Sequence, residues 1–372
     1  MDENNLKYWL ALKFVEGLGS VGTKNLLSAF GTPRRVLEAP LETLKSVPGI
    51  KERTANLIHR FNKWKQVERE LALTREKGVS LVTVEDTSYP RLLLDIYDRP
   101  PLLYVKGAFV EDEATIAVVG SRAASTYGKF LTERLCRELA QQGFTVVSGM
   151  ARGIDTAAHC GALSAKGRTI AVLGCGLDVY YPFENRSLYD EIATRGAVVT
   201  EYPFGTKPLA ANFPMRNRII SGISLGVVVV EATDKSGSLI TARVALEQGR
   251  EVFAVPGTVD SPGSKGTHKL IKEGAKLVEN IDDIIEEVQP RLRKTPVTPQ
   301  VPEQADADRP FNEKPLGERE RTILNLLSGG AFDVDTLIEK TGLDTNEVLA
   351  ILLGLELDGY VEQKPGKVFI RR

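Results

Sequence analysis

The segment VVSGMARGID, residues 146–155, joins a short apolar run to a Ser-Gly turn and the start of a helical pattern. Two other segments repeat the apolar run and its glycine turn, AVVGSR at residues 117–122 and AVLGCG at residues 171–176. Near-continuous Val, Ile, Leu and Ala indicate strands that are buried on both faces, which is typical of parallel sheets in α/β proteins. We therefore predict an α/β fold with a central, doubly wound, Rossmann-like parallel sheet.

Strands and helices alternate through the middle of the chain. The strands are predicted at residues 115–120, 145–149, 169–174, 197–202, 225–232 and 251–256. The helices are predicted at residues 127–142, 153–166, 185–194, 213–223, 238–248 and 266–275. A strand at 79–84 and an extended run at 101–105 precede this alternation. We assign residues 76–288 to one Rossmann-like domain.

The glycine turns predict an anion-binding edge. A doubly wound sheet binds its ligand at the carboxyl ends of its strands, where turn amides and helix N-termini point outward. Two of these turns also carry an arginine, and guanidinium groups suit phosphate. Repeated anion sites along one edge suit a polymer of phosphates. The predicted DNA-binding residues of these turns are Gly120, Ser121, Arg122, Ser148, Gly149, Arg152 and Gly153.

Two further segments extend this predicted edge. The segment FPMRNRIISG, residues 213–222, carries an aromatic ring and two arginines just ahead of the next strand. An aromatic ring offers a stacking face for a base, while arginines hold the backbone. The turn at residues 235–238 follows that strand. These segments add to the predicted DNA-binding residues Phe213, Arg216, Asn217, Arg218, Lys235, Ser236, Gly237 and Ser238, with Asn217 expected to fix local geometry through hydrogen bonds.

Several of these motifs occur together in a known family. With its segments 120–122, 148–155 and 213–221, and with the motifs Tyr181-Pro182 and Glu201-Tyr202-Pro203, the chain resembles the DNA-processing protein A family, DprA or Smf. The resemblance implies binding of single-stranded DNA, protection of incoming DNA and loading of the RecA recombinase in natural transformation (competence) and recombination. It also implies a homodimer, and it implies no known catalytic reaction.

The first 75 residues show short helical patterns around two glycine turns. The turns at residues 15–22 and 44–51 resemble a paired helix–hairpin–helix (SAM-like) unit, whose hairpin amides can hold a DNA phosphate. Lys51 and Arg53 beside the second turn favour this interpretation. The alternative is a small helical domain, residues 1–75, in which the glycines only terminate helices.

The end of the chain is predicted to form a separate domain. Residues 289–316 contain six prolines and few apolar residues, which predicts an extended linker. Residues 317–372 show three helical patterns and a hairpin, which predict a winged helix. Acidic residues on its expected recognition helix would repel DNA phosphates. We therefore expect a protein partner for this domain, on the basis of Asp344, Glu347, Glu356 and Asp358.

The predicted DNA contacts have structural alternatives. Arg122 and Arg152 could instead pair with Asp155 or Asp178 beneath the edge of the sheet, and Phe213 could anchor its loop in the core. A structural ion pair is a reasonable alternative for one arginine. It is a weaker explanation for the whole set of cations, because each side chain would need its own acidic partner.

An enzyme is the main competing function. Rossmann proteins that cleave nucleoside monophosphates carry a catalytic glutamate shortly after a Gly-rich phosphate turn. The matching positions here hold Ile240, Thr241 and Ala242, and Glu247 lies a further turn along the helix. Without a carboxylate to activate water or stabilise an oxocarbenium-like centre, that chemistry loses its main group. We therefore expect a binding site with no catalytic residue.

Composition and spacing disfavour several other classes. GSRAAS at residues 120–125 lacks the Gly-x-Gly-x-x-Gly of a dinucleotide-binding dehydrogenase. The three histidines and three cysteines show no metal-site or disulfide spacing, so we expect a reduced cytoplasmic protein without a metal or cofactor. No apolar run is long enough to span a membrane. The net charge is −1, so a DNA site must be a local cluster of cations.

Overall fold

In a computed structural model of the chain, nine strands form one sheet. They are β1 Ser80–Thr83, β2 Leu102–Gly107, β3 Thr115–Val119, β4 Thr145–Ser148, β5 Thr169–Val172, β6 Ala197–Thr200, β7 Gly226–Val229, β8 Glu251–Ala254 and β9 Lys276–Leu277. The order across the sheet is β1-β2-β6-β5-β4-β3-β7-β8-β9. Strands β3 to β9 pair in parallel, and β1 and β2 extend the sheet antiparallel at the edge of β6.

The structure describes residues 3–292, 318–327, 330, 332–345, 347–348, 351–352, 355, 360–364 and 368–371. The chain divides into two compact units, Met1–Pro299 and Gln300–Arg372. The helices of the larger unit are α1 Glu3–Lys13, α2 Ser20–Phe30, α3 Pro33–Glu38, α4 Leu41–Lys45, α5 Glu52–His59, α6 Trp64–Glu76, α7 Arg91–Leu94, α8 Thr126–Gln141, α9 Ile154–Ser164, α10 Arg186–Arg195, α11 Asn212–Gly222, α12 Gly237–Glu247, α13 Lys265–Lys272 and α14 Asp282–Leu292.

The predicted Rossmann-like fold is confirmed, and each of the six predicted strands is present. Helices α11 and α12 cover one face of the sheet, while α8, α9 and α14 cover the other. The predicted strands extend one to three residues past the observed carboxyl ends. After β5, β7 and β8 the chain continues with the buried apolar residues Leu173, Val230 and Val255, which prolong the strand pattern. Strand β9 lacks an apolar run, and its pattern does not predict it.

The chain order reverses at the centre of the sheet. Strand β3 pairs with β4 on one side and with β7 on the other, so the connections that follow β3 and β7 diverge to opposite sides. Ligands of open α/β sheets bind in the crevice that such a reversal leaves at the carboxyl edge. The fold therefore places the turns after β3 and β7 at the mouth of one crevice.

The amino-terminal helices contain two adjacent hairpins. The side-chain amide of Asn25, on α2, donates to the carbonyl of Pro48 at 2.9 Å, which joins the first helical pair to the second turn. These helices also hold the central domain, because Glu70 of α6 accepts a hydrogen bond from the backbone N–H of Phe204 at 2.9 Å. Burial raises the pKa of the Glu70 carboxyl. The helical region thereby supports the loop that leads toward α11.

The smaller unit has a winged-helix arrangement. Helices α15 Glu318–Leu327 and α16 Val334–Thr341 are accompanied by strands β10 Phe332–Asp333, β11 Val361–Lys364 and β12 Val368–Arg371, in the order β10-β12-β11. Asp333 caps α16 by accepting from the N–H of Thr336 at 2.7 Å. The predicted hairpin is confirmed by the antiparallel pairing of β11 with β12. Two of the acidic residues on the expected recognition helix, Glu356 and Asp358, lie outside the described residues.

The first residues of the predicted linker belong to a helix. Helix α14 continues to Leu292, past the predicted boundary at 288, and includes Pro290. Residues 293–317 lie outside the described residues, so the predicted linker at 289–316 and the predicted domain boundaries stay predictions. None of the helices within the described ranges is both long and apolar enough to cross a membrane.

Candidate nucleic-acid interface

A cleft of about 680 Å³ opens at the carboxyl edge of the sheet, where β3 and β7 lie side by side. Its walls come from the turn after β3, the amino-terminal turns of α11 and α12, and the loop before α11. Of the predicted site residues, the cleft is lined by Gly120, Ser121, Arg122, Phe213, Arg216, Asn217, Ser236, Gly237 and Ser238. The tertiary structure therefore brings together predicted residues from three separate segments.

The half-buried ring of Phe213 is the aromatic centre of this cleft. The guanidinium carbon of Arg122 lies 5.2 Å from the ring centroid, and that of Arg216 lies 5.8 Å from it. The exposed ring of Tyr181 has its centroid 5.6 Å away, tilted by 42°. A cation within about 6 Å of a ring is attracted by the π-system. The cleft thus combines aromatic faces with positive charge.

Arg216 forms part of the cleft floor. Only 3% of its surface is exposed, and its Nη1 donates to the carbonyls of Gly149, at 2.7 Å, and Val172. A Cβ on residue 149 would lie 2.6 Å from this guanidinium, so glycine there makes room for the arginine. Burial lowers the pKa of Arg216, and nearby Asp155 opposes that shift. Asn217 accepts from the Nε of Arg216 at 3.2 Å, which agrees with its predicted orienting role.

Asp155 is a buried carboxylate in the same cleft. Its Oδ2 accepts from the backbone N–H of Ala151 at 3.2 Å. Burial raises the pKa of this carboxyl, while the charge of Arg216 and the hydrogen bond from Ala151 act in the opposite direction. Arg122 also lowers this pKa, by a smaller charge effect. In the sequence Asp155 stands out only as a possible partner for arginine, and only the folded chain shows that it lines the cleft.

The N-terminus of α8 is occupied by groups of the protein itself. Ser125 caps this helix by accepting from the N–H of Gly128 at 2.9 Å. The carboxylate of Glu231, which follows β7, accepts from the backbone N–H of Ser125 at 2.9 Å and also from its hydroxyl. A Cβ on Gly128 would lie 2.5 Å from this carboxylate. The first glycine turn therefore leads into a helix whose anion position is already filled.

The N-terminus of α12 has a different environment. Among the residues that the structure describes, no side chain caps this helix, and Ser236 at its N-cap bonds instead to the hydroxyl of Ser238 at 2.8 Å. Gly237 is exposed, and Lys235 lies next to it, exposed as well. The first amides of a helix lack partners within the helix and carry partial positive charge. This turn is the part of the cleft best suited to an anion.

Arg218 lies away from the cleft, although the same helix carries Arg216. Only 5% of its surface is exposed. Its Nη2 donates to Glu201 at 2.7 Å, and its guanidinium also pairs with Asp98 at 3.3 Å. Two residues along a helix correspond to a rotation of about 200°, so the two arginines leave α11 in opposite directions. This geometry corrects the expectation that both arginines of this segment hold the DNA backbone, and it gives Arg218 a structural role.

The turn after β4 does not point its polar side chains into the cleft. Arg152 is exposed and pairs with Glu184, with Nη2 at 3.1 Å from Oε2, so it pairs with neither Asp155 nor Asp178. The N–H of Gly205 bonds to Asp178 at 2.8 Å. Gly153 forms the N-cap of α9, and the hydroxyl of buried Ser148 donates to the carbonyl of Val118 at 2.6 Å. These predicted residues build the edge that supports the cleft.

The cleft also includes residues that the pattern analysis does not assign to it. Tyr181 appears there only as part of a motif, and its ring now flanks Phe213. Pro208, Ala210, Ile220 and Thr241 line the walls. These residues are neither charged nor glycine, so no motif in the sequence marks them as part of a binding site. They line the cleft because separate loops approach each other in the folded chain.

Comparison with known proteins identifies the family of this chain. A family model described as DNA recombination-mediator protein A matches residues 80–289, and Protein Smf of Escherichia coli strain K12 is 43% identical over 308 residues, which cover 81% of this chain and 80% of that protein. The chain belongs to the DNA recombination-mediator protein A family. The resemblance seen in the sequence is thereby confirmed.

Two further family models match the parts of the chain on either side of this region. Models of a SAM-like helix-hairpin-helix tandem and of a DprA winged helix domain match residues 10–61 and 307–367, which confirms the predicted fold of both regions. The DNA processing protein DprA of Streptococcus pneumoniae is 48% identical over 208 residues, which cover 56% of this chain and 73% of that protein.

Two solved structures of the family resemble this chain. DNA processing protein A from Streptococcus pneumoniae has a TM-score of 0.68 and 38% identity, covering 76% of this chain and 97% of that one. DNA processing protein A from Helicobacter pylori has a TM-score of 0.51 and 32% identity, covering 57% of this chain and 97% of that one. The latter is described by its single-stranded DNA binding mode.

Proposed function

We propose that this protein binds single-stranded DNA in the cleft at the carboxyl edge of its sheet. The observation that carries this proposal is the half-buried ring of Phe213, with the guanidinium of Arg122 at 5.2 Å and, in the same cleft, the start of α12, which no side chain of the described residues caps. Single-strand binders combine stacking rings with a positive groove that follows the backbone. The single-stranded DNA binding of the Helicobacter pylori relative supports the same assignment.

The chemistry of the cleft favours an unpaired strand over a duplex. A base can stack on a ring only when its face is free, and the faces of paired bases are covered by their neighbours. The anion position at Ser236, Gly237 and Ser238 lies in the same cleft as Phe213, so one nucleotide could engage both its base and its phosphate there. We assign the phosphate to the start of α12 and the base to Phe213.

The test compares single-stranded and duplex oligonucleotides over a range of salt concentration. The parent protein should prefer the single strand, and Arg122→Ala should weaken binding to every sequence and flatten the salt dependence by about one unit of slope. Arg91→Ala is the matched control, because Arg91 is exposed and lines a separate cavity with Thr115 and Leu225, at the amino ends of β3 and β7. Equal affinity and salt slope in a folded Arg122→Ala protein would refute the assignment.

We also propose the cellular role that the family implies. In this role the protein protects incoming DNA and helps to load RecA during natural transformation and recombination, as a homodimer. Purified protein should speed RecA filament formation on single strands coated with single-strand-binding protein, and Arg122→Ala should slow that effect. Sedimentation of the pure protein tests the dimer. An unchanged filament rate in the presence of the parent protein would remove RecA loading from the proposal.

A nucleotide-cleaving enzyme is the second candidate, and Asp155 is the observation that favours it. This carboxylate is buried in the cleft, and burial raises its pKa, as in many general acids. Glu231 is less suited to this role, because it is held by Ser125. We expect nucleoside monophosphates to release no free base above the no-protein control. Steady release that survives repurification and disappears in Asp155→Asn would make this protein an enzyme.

A further inference from the structure

Helix α8 carries two exposed aromatic rings beside the cleft. Tyr127 is 68% exposed and Phe130 is 61% exposed, although large aromatic side chains are usually well covered. They lie three residues apart, so their Cβ atoms are separated by about 5–6 Å on one face of the helix. An exposed aromatic pair of this kind indicates a binding surface.

The same face of α8 continues with positive charge. The buried face of this helix holds Gly128, Thr132, Leu135, Cys136 and Leu139. On the opposite side, Arg134 and Arg137 follow the two aromatic residues at helical spacing and are exposed. Arg134 pairs with Glu138 at 3.9 Å. The ridge formed by Tyr127, Phe130, Arg134 and Arg137 is called the α8 ridge below.

The α8 ridge follows, along the chain, the turn that forms one wall of the cleft. Arg122 lines the cleft, and Ser125, three residues later, caps the same helix. Long side chains on a helix lean toward its N-terminus, so the rings of Tyr127 and Phe130 incline toward the turn that carries Arg122. A chain that leaves the cleft past Arg122 therefore meets first the two aromatic rings and then the arginines.

We propose that the α8 ridge binds the stretch of single-stranded DNA that leaves the cleft. The inference rests on the proposed function. Two stacking faces followed by two cations offer contacts for the bases and phosphates of an extended strand. The basic groups of α8 are Lys129, Arg134 and Arg137, and its acidic groups are Glu133 and Glu138, so the helix as a whole has one more basic than acidic group. The ridge thus lengthens the binding site without adding a second cleft.

The test uses two oligothymidylates, one of about 6 nucleotides that fills the cleft and one of about 20 that also reaches the ridge. Tyr127→Ala/Phe130→Ala should bind the longer strand about tenfold more weakly than the parent. Its affinity for the shorter strand should stay within about twofold of the parent. Tyr127→Phe should keep the parent affinity, because it retains the stacking face.

Two controls make the result specific. Tyr97→Ala removes another exposed ring, 73% exposed, from a loop outside the cleft lining and should change neither affinity. Tyr127→Trp gives a direct signal: the fluorescence that it adds to that of the two native tryptophans should fall with the longer strand and stay constant with the shorter one.

The outcomes separate this inference from the proposed function. If the parent binds neither strand, the ridge assignment and the proposed function are both refuted. If the parent binds both strands and the double variant matches it, the ridge assignment alone is overturned. A double variant that matches the parent with both strands but sediments at a lower mass would make the ridge a contact between copies of this chain, which also overturns the DNA assignment.

Discussion

Helices α8 and α12 both begin at the carboxyl edge of the sheet, one after β3 and the other after β7, yet their first turns differ. In α8 the hydroxyl of Ser125 caps the helix, and the carboxylate of Glu231 bonds to Ser125. In α12 no capping side chain is present among the described residues, and Ser238 bonds only to its neighbour Ser236. The two turns look alike in sequence, since each combines glycine and serine.

The difference between these turns arises from an acidic residue that follows the neighbouring strand. Glu231 follows β7 but satisfies the helix that follows β3, because the two strands are neighbours in the sheet. A carboxylate at a helix N-terminus stabilises the protein by interacting with the partial positive charge there. The N-terminus of α8, occupied by Glu231, serves stability, whereas at α12 no described side chain competes with an external anion.

The strongest test converts one turn into the other. Ser236→Asp puts a carboxylate at the N-cap of α12, where it resembles Glu231 beside α8. It should weaken single-strand binding about 100-fold, because it takes up the amides and repels the phosphate. It should also stabilise the protein by about 0.5 kcal/mol, because acids are favourable at helix N-termini.

Fluorescence anisotropy with labelled oligonucleotide and thermal denaturation measure the two effects of Ser236→Asp. Ser236→Asn is the matched control, since it offers a neutral cap of similar shape. If both substitutions reduce affinity equally, charge at this turn is not the cause. If neither reduces it, the start of α12 is not the anion site.

The second prediction concerns the aromatic part of the cleft. Phe213→Leu keeps apolar bulk but removes the stacking face, so single-strand affinity should fall about tenfold. The melting temperature should change little, because the ring is only half-buried. A leucine variant that binds like the parent, together with an alanine variant that only melts earlier, would assign Phe213 to packing.

The third prediction addresses the filled turn. Glu231→Gln keeps an acceptor for Ser125 but removes its charge, so the protein should lose about 1 kcal/mol of stability. Single-strand affinity should change by less than about twofold, in contrast to the loss caused by Ser236→Asp. Chemical denaturation and the same anisotropy assay measure both quantities. A large loss of affinity would place Glu231 in the binding site and remove the contrast between the helices.

The smallest effect is expected from the winged helix. Deleting residues 300–372 removes the smaller compact unit and leaves both helix N-termini intact. The remaining unit should fold and keep single-strand affinity within about twofold of the parent. If affinity falls strongly while melting of the remaining unit is unchanged, the winged helix contacts DNA, and the expected protein partner becomes doubtful.

The alternation of apolar runs and glycine turns is sufficient to predict the parallel sheet. Six strands and six helices follow from it with small errors at their ends, because strands buried on both faces carry an unbroken apolar pattern. The two-residue strand β9 has no such pattern, and its residues are exposed. Its place in the sheet comes from pairing with β8, which leaves no local signal.

The sequence predicts the position of some candidate binding residues correctly and of others incorrectly. Arg122 and Phe213 lie together in the cleft, as their motifs indicate. Arg218 belongs to the same motif, but it forms a buried pair with Glu201, and Arg152 pairs with Glu184 at the surface. A motif records which residue types occur, whereas helix rotation and the positions of distant acids decide which of them reach a ligand.

The amino-acid sequence by itself determined the class of fold, the edge of the sheet that carries the turns and the family of the protein. Each of these depends on local patterns along the chain. Only the tertiary structure decided that Glu231 bonds to the first turn of α8, that Asp155 lines the cleft and that no side chain of the described residues caps α12. These facts depend on contacts between segments that are far apart in the chain, and such contacts exist only after the strands have taken their order in the sheet.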